Sequence, residues 1–210
     1  LLSLQPDIGQ TLLVFFSWSV LIFTSGVSIF LLFFLFSSII LIFFYLIFFV
    51  SKFTYIKNRI ISFLDSETGT YNFQSDKALE SITSGGFFGK GIGEGTLKNR
   101  VPEAHTDYII SVISEEFGVI AIILIFLLFL IFIYSVFKKV NFENDETIKL
   151  ILVGSISLIL MQTIIHIGVN IRLFPTTGMT LPFISYGGSS IISISILSGI
   201  ILNFTKRNLN

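Results

Sequence analysis

The sequence predicts an all-α polytopic membrane protein with about five transmembrane helices and one long polar loop. Hydrophobic residues make up 53% of the 210 residues and charged residues only 12%, about half the charged share of an ordinary soluble domain. The stretch from residue 8 to residue 50 contains no charge and is long enough for two spans of about 20 residues each. A soluble domain of this length cannot bury so much apolar surface, so composition and charge spacing together give the fold class.

The first two spans are predicted to form a helical hairpin over residues 8–50. Its turn is expected near Thr24, Ser25 and Gly26, where small polar residues interrupt a sequence rich in Leu and Phe. Residues 51–108 then form the one long polar segment, with charges of both signs. Because loops of this length without a role are uncommon, we expect the functional site in this segment.

Three further spans are predicted in residues 109–204, and the whole chain, residues 1–210, is interpreted as a single membrane domain. The approximate limits of these spans are residues 117–137, 150–171 and 181–204. Residues 108–116 are expected to continue the helix of the first of them into the interface. Pro182 is expected to kink the start of the last one.

Basic residues predict the orientation of the spans. Those that follow the third and fifth spans fall on the same side of the membrane, which the positive-inside rule makes cytoplasmic. They are Lys138, Lys139, Lys149, Lys206 and Arg207. The long loop then lies outside the cytoplasm. Three basic residues next to a span count against this orientation, namely Lys52, Lys57 and Arg59.

A glycine-rich run over residues 85–95, GGFFGKGIGEG, does not fit a phosphate-binding loop. Such a loop needs four residues between its first Gly and a Gly-Lys pair, followed by Ser or Thr, whereas Gly91 follows Lys90 here. Two interpretations stay open. The run is either a flexible loop whose glycines permit tight turns, or a backbone surface that approaches a ligand closely.

Glu103, His105 and Asp107 alternate along the chain. On an extended strand they would share one face, where they could hold a metal ion. A solvated polar loop is the simpler interpretation. Thiolate metal sites and disulfides are excluded within residues 1–210, because these contain no Cys.

His166 falls deep inside the fourth predicted span. A polar residue at that depth usually faces the interior of the bundle, so we expect a packing histidine rather than a ligand. Gln162 precedes it by four residues on the same helical face and is its expected hydrogen-bond partner.

Several motifs together resemble the SEDS family of bacterial shape, elongation, division and sporulation proteins. They are QPDIG at residues 5–9, RIISFLD at 59–65, SGGFFGKGIG at 84–93, PEAHTD at 102–107, EEFG at 115–118 and PTTGMTLPFISYGGSS at 175–190. QPDIG and the glycine-rich motif are weak alone, whereas PEAHTD, EEFG and the last motif together are specific. Within the family they resemble the FtsW branch more than the RodA branch. One departure is His166, where the family commonly has Asn.

The resemblance implies a fold of about ten spans with both ends in the cytoplasm, in the bacterial inner membrane. The five spans here are expected to be the last five, with a cytoplasmic C-terminus and an extracytoplasmic long loop. Because a groove built by both halves could not close here, inactivity of the chain on its own is one expectation.

The activity that the resemblance implies is that of a peptidoglycan glycosyltransferase, which polymerises lipid II into glycan strands during septal cell-wall synthesis. The implied partners are lipid II, a class B penicillin-binding protein that supplies the transpeptidase, and other membrane proteins of the divisome. Nucleic acid is not an expected partner, because the formal net charge is zero.

The family's essential aspartate falls on Asp107. The acceptor is a sugar hydroxyl with a high pKa, so it needs a general base. The resemblance therefore implies Asp107 as that base, or as the group that orients the hydroxyl, with support by hydrogen bonding from Glu103 and His105. Without the resemblance, the simpler interpretation is that Asp107 is the N-cap of the next helix.

Candidate substrate-binding residues follow from the same reaction. Cations stabilise a leaving pyrophosphate, and the candidates are Lys98, Arg100 and Lys90, with anchoring to anionic headgroups as the alternative. A divalent cation, Mg or Mn, could share this role, although the sequence shows no dedicated site. The start of the fifth span is expected to shape the lipid-substrate groove, with helix packing as the alternative. Its residues are Ser185, Tyr186, Gly187, Gly188, Ser189 and Ser190.

Two other functions remain as alternatives. A lipid II flippase would need charged groups buried along a path through the spans, whereas His166 is the only titratable group deep in a predicted span. A non-catalytic scaffold that recruits a class B penicillin-binding protein would not need the acidic residues of the motif at 102–107.

Overall fold

The computed structural model describes residues 7–64, 73–96 and 101–206. Within these ranges the chain consists of helices and turns, without β-strands. The helices are α1 (Ile8–Thr24), α2 (Ile29–Phe49), α3 (Thr54–Leu64), α4 (Phe73–Gly85), α5 (Ile109–Phe142), α6 (Glu146–Asn170) and α7 (Gly188–Lys206). The first two residues of QPDIG, together with Lys98, Arg100 and Arg207, lie outside the described residues.

The membrane-spanning helices agree with the prediction. In the described part of the chain, α2, α5, α6 and α7 are long and apolar enough to cross a membrane. Helix α1 is also apolar, and its 17 residues reach the lower limit of about 17 for a span. The chain is therefore an all-α polytopic membrane protein, as its composition predicts.

Helix α6 is the centre of the bundle. Half of the residues in its most apolar stretch are buried, whereas in α2 the share is 6%. It contacts α1, α4, α5 and α7. Gly154 of α6 lets α1 approach closely, because a Cβ atom at that position would lie 3.1 Å from the Leu21 side chain. Buried Leu152, Ile156 and Ile159 of α6 form the core with residues of the neighbouring helices.

The hairpin turn lies where the sequence predicts it. Helix α1 ends at Thr24, and Gly26 has a φ of 82°, a conformation that glycine adopts without steric cost. At the other end of α1, Asp7 is the N-cap, and its Oδ1 accepts a hydrogen bond from Gln10 N at 2.9 Å. The α1–α2 turn lies at the same end of the bundle as the α5–α6 link, since Thr24 and Lys149 line one cleft.

The polar segment 51–108 is more helical than a loop. It contains α3 and α4 within its described part. Helix α4 buries one face of mostly small residues against α5, namely Ala78, Ser81, Ile82 and Gly85. Few of its residues are apolar, so hydrophobic periodicity does not reveal it.

Residues 109–116 are helical and extend α5 ahead of the apolar span, as predicted, but the helix is broken at Gly118, which was not predicted. Gly118 has φ 80° and ψ 176°, which breaks the helix. The backbone of the glycine-rich segment forms hydrogen bonds with the α5 backbone groups that have no helical partner at the break. Lys90 N donates to Glu115 O at 2.8 Å, and Val119 N donates to Gly86 O at 3.0 Å. Unpaired backbone groups at membrane depth are costly, so these bonds make the break tolerable.

Glycines allow the two backbones to approach this closely. A Cβ atom on Gly89 would lie 2.2 Å from Glu116 O, and one on Gly118 would lie 2.1 Å from Phe87 O. Gly89 also has a φ of 77°. The glycines thus permit tight turns, since Gly86, Gly91 and Gly93 also have positive φ, and at Gly89 they permit close approach to α5; approach to a ligand stays a prediction.

The last span begins later than predicted. Helix α7 starts at Gly188, and residues 181–187 form turns with Phe183 at a φ of 66°. Pro182 therefore precedes the helix and does not kink it. Of the motif expected to open this span, Ser185, Tyr186 and Gly187 lie in the turns.

Two glycines of the same loop test the backbone packing. Gly86 has a φ of 58° with no atom within 4 Å of a built Cβ, whereas Gly89 meets Glu116 O. We expect Gly86→Ala to cost about 1–2 kcal/mol from its left-handed backbone alone. Gly89→Ala should cost about 3 kcal/mol or more because the loop must also move off α5. Thermal unfolding of the two variants in detergent measures the difference, and equal losses would contradict the packing.

Candidate functional site at the loop end of the bundle

The PEAHTD motif forms a compact turn directly before α5. Asp107 N donates to Glu103 O at 3.0 Å, and Thr106 N donates to the same oxygen at 3.1 Å. Glu103 has a φ of 55°, so the chain coils here. Of the two interpretations, the extended strand on which Glu103, His105 and Asp107 would share one face is therefore wrong, and the loop is the one observed. The described residues also contain no group of three His, Cys, Asp or Glu side chains arranged to hold a metal ion.

The end of α6 holds the backbone of this turn. Asn170 is fully buried, and its Nδ2 donates to Asp107 O at 3.0 Å and to His166 O at 2.9 Å. Asp107 is thereby fixed through its carbonyl, which leaves its carboxylate available for other contacts.

The segment before α7 docks on the same turn. Ser185 Oγ donates to Thr106 O at 2.7 Å and accepts a hydrogen bond from Leu181 N at 2.8 Å. Tyr186 N donates to His105 O at 3.0 Å. The structure therefore brings two of the predicted groove residues, Ser185 and Tyr186, into direct contact with the motif that carries the predicted catalytic residues.

The Asp107 carboxylate receives no hydrogen bond from the residues that the structure describes. Helix α5 begins at Ile109 with Tyr108 in the cap position and without a side-chain cap, so the N-cap interpretation of Asp107 is wrong. One carboxylate oxygen lies 3.6 Å from where a Cβ atom on Gly178 would be. Burial raises the pKa of Asp107 above its usual range, and the charge of Glu103 raises it further. A carboxylate with these properties is suited to accept a proton.

The segment that contains Gly178 is held by three long polar side chains. They are Arg59, whose Nη1 donates to Thr176 O at 2.8 Å, His166, whose Nδ1 lies 2.7 Å from Met179 O, and Gln162, whose Nε2 donates to Thr180 O at 2.8 Å. Helices α3 and α6 thus fix the backbone opposite Asp107 by hydrogen bonds to its carbonyl oxygens.

His166 packs inside the bundle, as predicted, and is 1% exposed. Its Nδ1 carries the proton, because the Met179 carbonyl oxygen can only accept. The predicted pairing with Gln162 is wrong. Its other ring nitrogen lies 3.4 Å from Asn170 Nδ2, and Gln162 reaches the neighbouring carbonyl of Thr180 instead.

Arg59 was predicted only as a charge that bears on orientation, but it belongs to the site. Its guanidinium lies 4.7 Å from the ring centroid of Tyr55, a cation–π distance. Burial and the charge of Asp107 raise the pKa of Tyr108, and the charge of Arg59 opposes this. Arg59, Tyr108 and Asp107 therefore interact electrostatically. Arg59 is the first residue of the RIISFLD motif, but the sequence does not indicate what it contacts.

Lys90 is engaged within the protein. Its Nζ lies 3.2 Å from Glu115 Oε1 and 3.0 Å from Ser84 Oγ. The other two candidates for the pyrophosphate, Lys98 and Arg100, lie outside the described residues.

Glu115 is a buried charge that sequence reasoning did not single out. Its side chain has no exposed surface, and it accepts hydrogen bonds from Ser81 Oγ at 3.2 Å and from Thr96 N at 2.9 Å, besides its contact with Lys90. It ties α4, the middle of the glycine-rich segment and Thr96, which follows that segment, to α5. An acidic residue just ahead of a long apolar run was the available signal.

A second ion pair braces the same end of the bundle. Arg172, in the turn after α6, lies 2.6 Å from Asp76 Oδ1 of α4. Arg172 has a φ of 61°, so the residue that makes this contact also reverses the chain. The packing of α4 on the bundle therefore involves both α5 and the end of α6.

The family model described as a cell cycle protein, FtsW/RodA/SpoVE, matches residues 1–210. A probable peptidoglycan glycosyltransferase FtsW from Caulobacter vibrioides is 36% identical over 207 residues, which are 99% of this chain and 52% of that protein. One of the same description from Trichlorobacter lovleyi is 35% identical over 209 residues, 98% of this chain and 54% of that protein. The chain thus spans about half the length of these relatives.

A similar solved structure comes from a study described as "Structural coordination of polymerization and crosslinking by a peptidoglycan synthase complex". It superposes with a TM-score of 0.76 and 26% sequence identity, and the match covers 100% of this chain and 59% of the solved one. The fold of the whole chain is therefore shared with a component of that complex.

The Lys90–Glu115 pair tests how the glycine-rich segment is held. We expect Lys90→Met to cost about 1–3 kcal/mol, because it removes the Lys90 cation from the buried Glu115 carboxylate. The cost should shrink in the Glu115→Gln background, where no charge remains to be neutralised. Thermal unfolding of the four proteins of this double-mutant cycle gives the coupling.

The control for this cycle is the Lys77–Glu80 pair, whose side chains are both partly exposed. Its cycle should give about 0.5 kcal/mol or less. A Lys90–Glu115 coupling no larger than this control would mean that the buried pair does not hold the segment.

Proposed function

The chain belongs to the FtsW/RodA/SpoVE family, and from this membership we propose that it is part of a peptidoglycan glycosyltransferase that polymerises lipid II during septal cell-wall synthesis. The observation that carries the proposal is the environment of Asp107. Its carboxylate has no hydrogen bond from the described residues and a raised pKa, and the turn that carries it is held by α6 and by the segment before α7. The names of the relatives, probable peptidoglycan glycosyltransferases, agree with it.

In the proposed reaction Asp107 is the general base. The acceptor sugar hydroxyl gives its proton to the carboxylate as its oxygen forms the new bond to the anomeric carbon of the donor. The old bond from that carbon to the lipid pyrophosphate breaks, and the pyrophosphate leaves with the electron pair. The carboxylate must be ionised to act, so the raised pKa increases its basicity at the cost of a smaller ionised fraction at acid pH.

The position of Asp107 suits two substrates that remain anchored in a bilayer. The carboxylate lies on a turn directly before α5, at the end of the bundle where the polar segment 51–108 lies. A lipid-linked sugar reaches this level without its tail leaving the membrane. We place this end outside the cytoplasm, in a multi-pass protein of the bacterial inner membrane with a cytoplasmic C-terminus. The support is the set of lysines at the opposite end, Lys138, Lys139 and Lys149, together with Lys206.

Cations are required for the leaving pyrophosphate. We propose Lys98 and Arg100 for this contact. Lys90 is the weaker candidate because Glu115 already neutralises it. A divalent cation, Mg or Mn, would supply the same charge stabilisation, with no ligand set assigned here.

The groove for the lipid-linked sugar is proposed along the segment that leads into α7. Tyr186 is exposed and its backbone is bonded to the catalytic turn. Ser190, in the first turn of α7, accepts a hydrogen bond from Thr180 Oγ1 at 2.8 Å, which couples the helix start to the segment opposite Asp107. Gly187, Gly188 and Ser189 complete this wall.

A class B penicillin-binding protein and other membrane proteins of the divisome are the proposed partners. The similar solved chain comes from a synthase complex whose study names polymerization and crosslinking together. A polymerase of this kind needs a crosslinking enzyme close to its product, and the poorly buried faces of α2 and α7 leave surface for a membrane-embedded neighbour.

The catalytic role is tested by Asp107→Asn in the full-length protein with its penicillin-binding partner. We expect glycan synthesis from labelled lipid II to fall by a factor of about 100 or more, because a general base contributes about 10²–10⁴. Binding of lipid II and of the partner should persist. Asp145→Asn is the matched control, since Asp145 only caps α6 at the opposite end. Unchanged glycan synthesis by Asp107→Asn would reject this base and make Glu103 the next candidate.

The charge of Glu103 gives a pH-dependent prediction. Activity requires ionised Asp107, so it should fall as the pH drops through the pKa of Asp107. Glu103→Gln removes a negative charge that raises this pKa, so the acid limb of the pH–rate profile should move to lower pH. Glu146→Gln, at the opposite end of the bundle, should leave the limb in place. A Glu103→Gln limb that stays fixed or moves to higher pH would contradict the assignment of Asp107.

A further inference from the structure

The tip of the glycine-rich segment exposes three large apolar side chains. Phe87 is 73% exposed, Phe88 84% and Ile92 78%. They fall within a short run of glycines in the middle of the polar segment 51–108. None of them belongs to the buried clusters. An apolar patch of this kind marks an interaction site.

Backbone hydrogen bonds fix the depth of this tip relative to the membrane. Val119 N donates to Gly86 O at 3.0 Å, and Ile120 N donates to Phe87 O at 3.4 Å. Val119 and Ile120 lie near the start of the apolar part of α5. The 21 residues 117–137 carry no charge and cover about 32 Å at 1.5 Å per residue, close to the hydrocarbon thickness of about 30 Å. The tip therefore lies at the border of the hydrocarbon layer.

The tip adjoins an exposed apolar face of α5, since Ile120 N donates to Phe87 O. Along α5, Ile120, Ile123 and Leu124 are about half exposed, as expected for a span whose outer face meets acyl chains. The backbone of Phe87 is therefore fixed at the start of this face, close in sequence to the other two side chains of the tip.

Two backbone N–H groups of the segment and the charge of Lys90 are paired with α5. The backbone N–H groups of Lys90 and Gly91 donate to Glu115 O and Glu116 O of α5. The Lys90 ammonium is neutralised by Glu115. Non-helical backbone is tolerated at membrane depth only when it is paired with protein in this way.

We infer that residues 86–92 form a re-entrant tip whose Phe87, Phe88 and Ile92 side chains insert among the acyl chains of the leaflet on the side of Asp107. The ligand of this surface is the bilayer itself. The insertion anchors α4 and the glycine-rich segment beside the membrane-facing site, and it does not depend on which reaction that site catalyses.

Spin labels test the insertion. The 210 residues contain no Cys, so single cysteines can be placed in a full-length protein from which any other cysteines have been removed. Phe88→Cys is labelled with a nitroxide and the protein is reconstituted in phospholipid vesicles. Collision of the label with oxygen, which concentrates in the bilayer, is compared with collision with a water-soluble nickel chelate. Ile131→Cys on the lipid face of α5 and Glu94→Cys in the same loop are the two references.

We expect the labels at Phe88 and at Ile92, the second test position, to prefer oxygen as the Ile131 label does, with Glu94 preferring the nickel chelate. Two results would overturn the inference. Labels at both tip positions that match Glu94 would place the tip in water. Low access to both oxygen and nickel would mean that protein, and not lipid, covers the tip.

Discussion

The break in α5 at Gly118 is the constraint on which this end of the molecule depends. A helix that enters the membrane cannot leave backbone groups unpaired, because each costs several kcal/mol in hydrocarbon. Here the backbone of residues 86–91 supplies the missing partners. In that arrangement the two main chains must pack directly against each other. Residues 85, 89 and 118 must therefore be glycine, because a Cβ atom at any of them would overlap a carbonyl group. Helix α4 leads into this segment and must therefore pack on α5 through small residues.

The same break determines where the PEAHTD turn lies. The part of α5 before Gly118 is held by α4 and the glycine-rich segment, so its first residue presents the PEAHTD turn at a defined place. Asn170, Ser185 and the Tyr186 backbone then bond to three successive carbonyl oxygens of that turn. Because these contacts all use main-chain acceptors, they fix the turn without occupying the Asp107 carboxylate. In the proposed reaction, proton transfer from a sugar hydroxyl needs a carboxylate that is rigidly placed and has no hydrogen bond from the described residues.

Composition and charge spacing predicted the parts of the fold that a bilayer imposes, namely the class, the hairpin turn at Gly26 and the number of spans. They failed where backbone pairs with distant backbone. The break at Gly118, the turns before Gly188 and helix α4 leave no hydrophobic period in the sequence. The motif resemblance pointed to Asp107, but the neighbours of Asp107 could not be read from spacing. Arg59, Glu115 and Asn170 act through contacts across 19 or more residues of sequence, which only the folded chain brings together.

His166 illustrates how a departure from the family pattern fits this architecture. An Asn side chain, common in the family here, offers one donor group and one acceptor. A neutral imidazole also offers one donor and one acceptor. Nδ1–H donates to Met179 O at 2.7 Å, and Nε2 faces the Asn170 amide at 3.4 Å, the longest of the three contacts of that amide nitrogen. Asn170 in turn holds the Asp107 carbonyl. His166 therefore links the Gly178 segment to Asn170, and through it to the PEAHTD turn, by one donor and one acceptor, and this role requires the neutral ring.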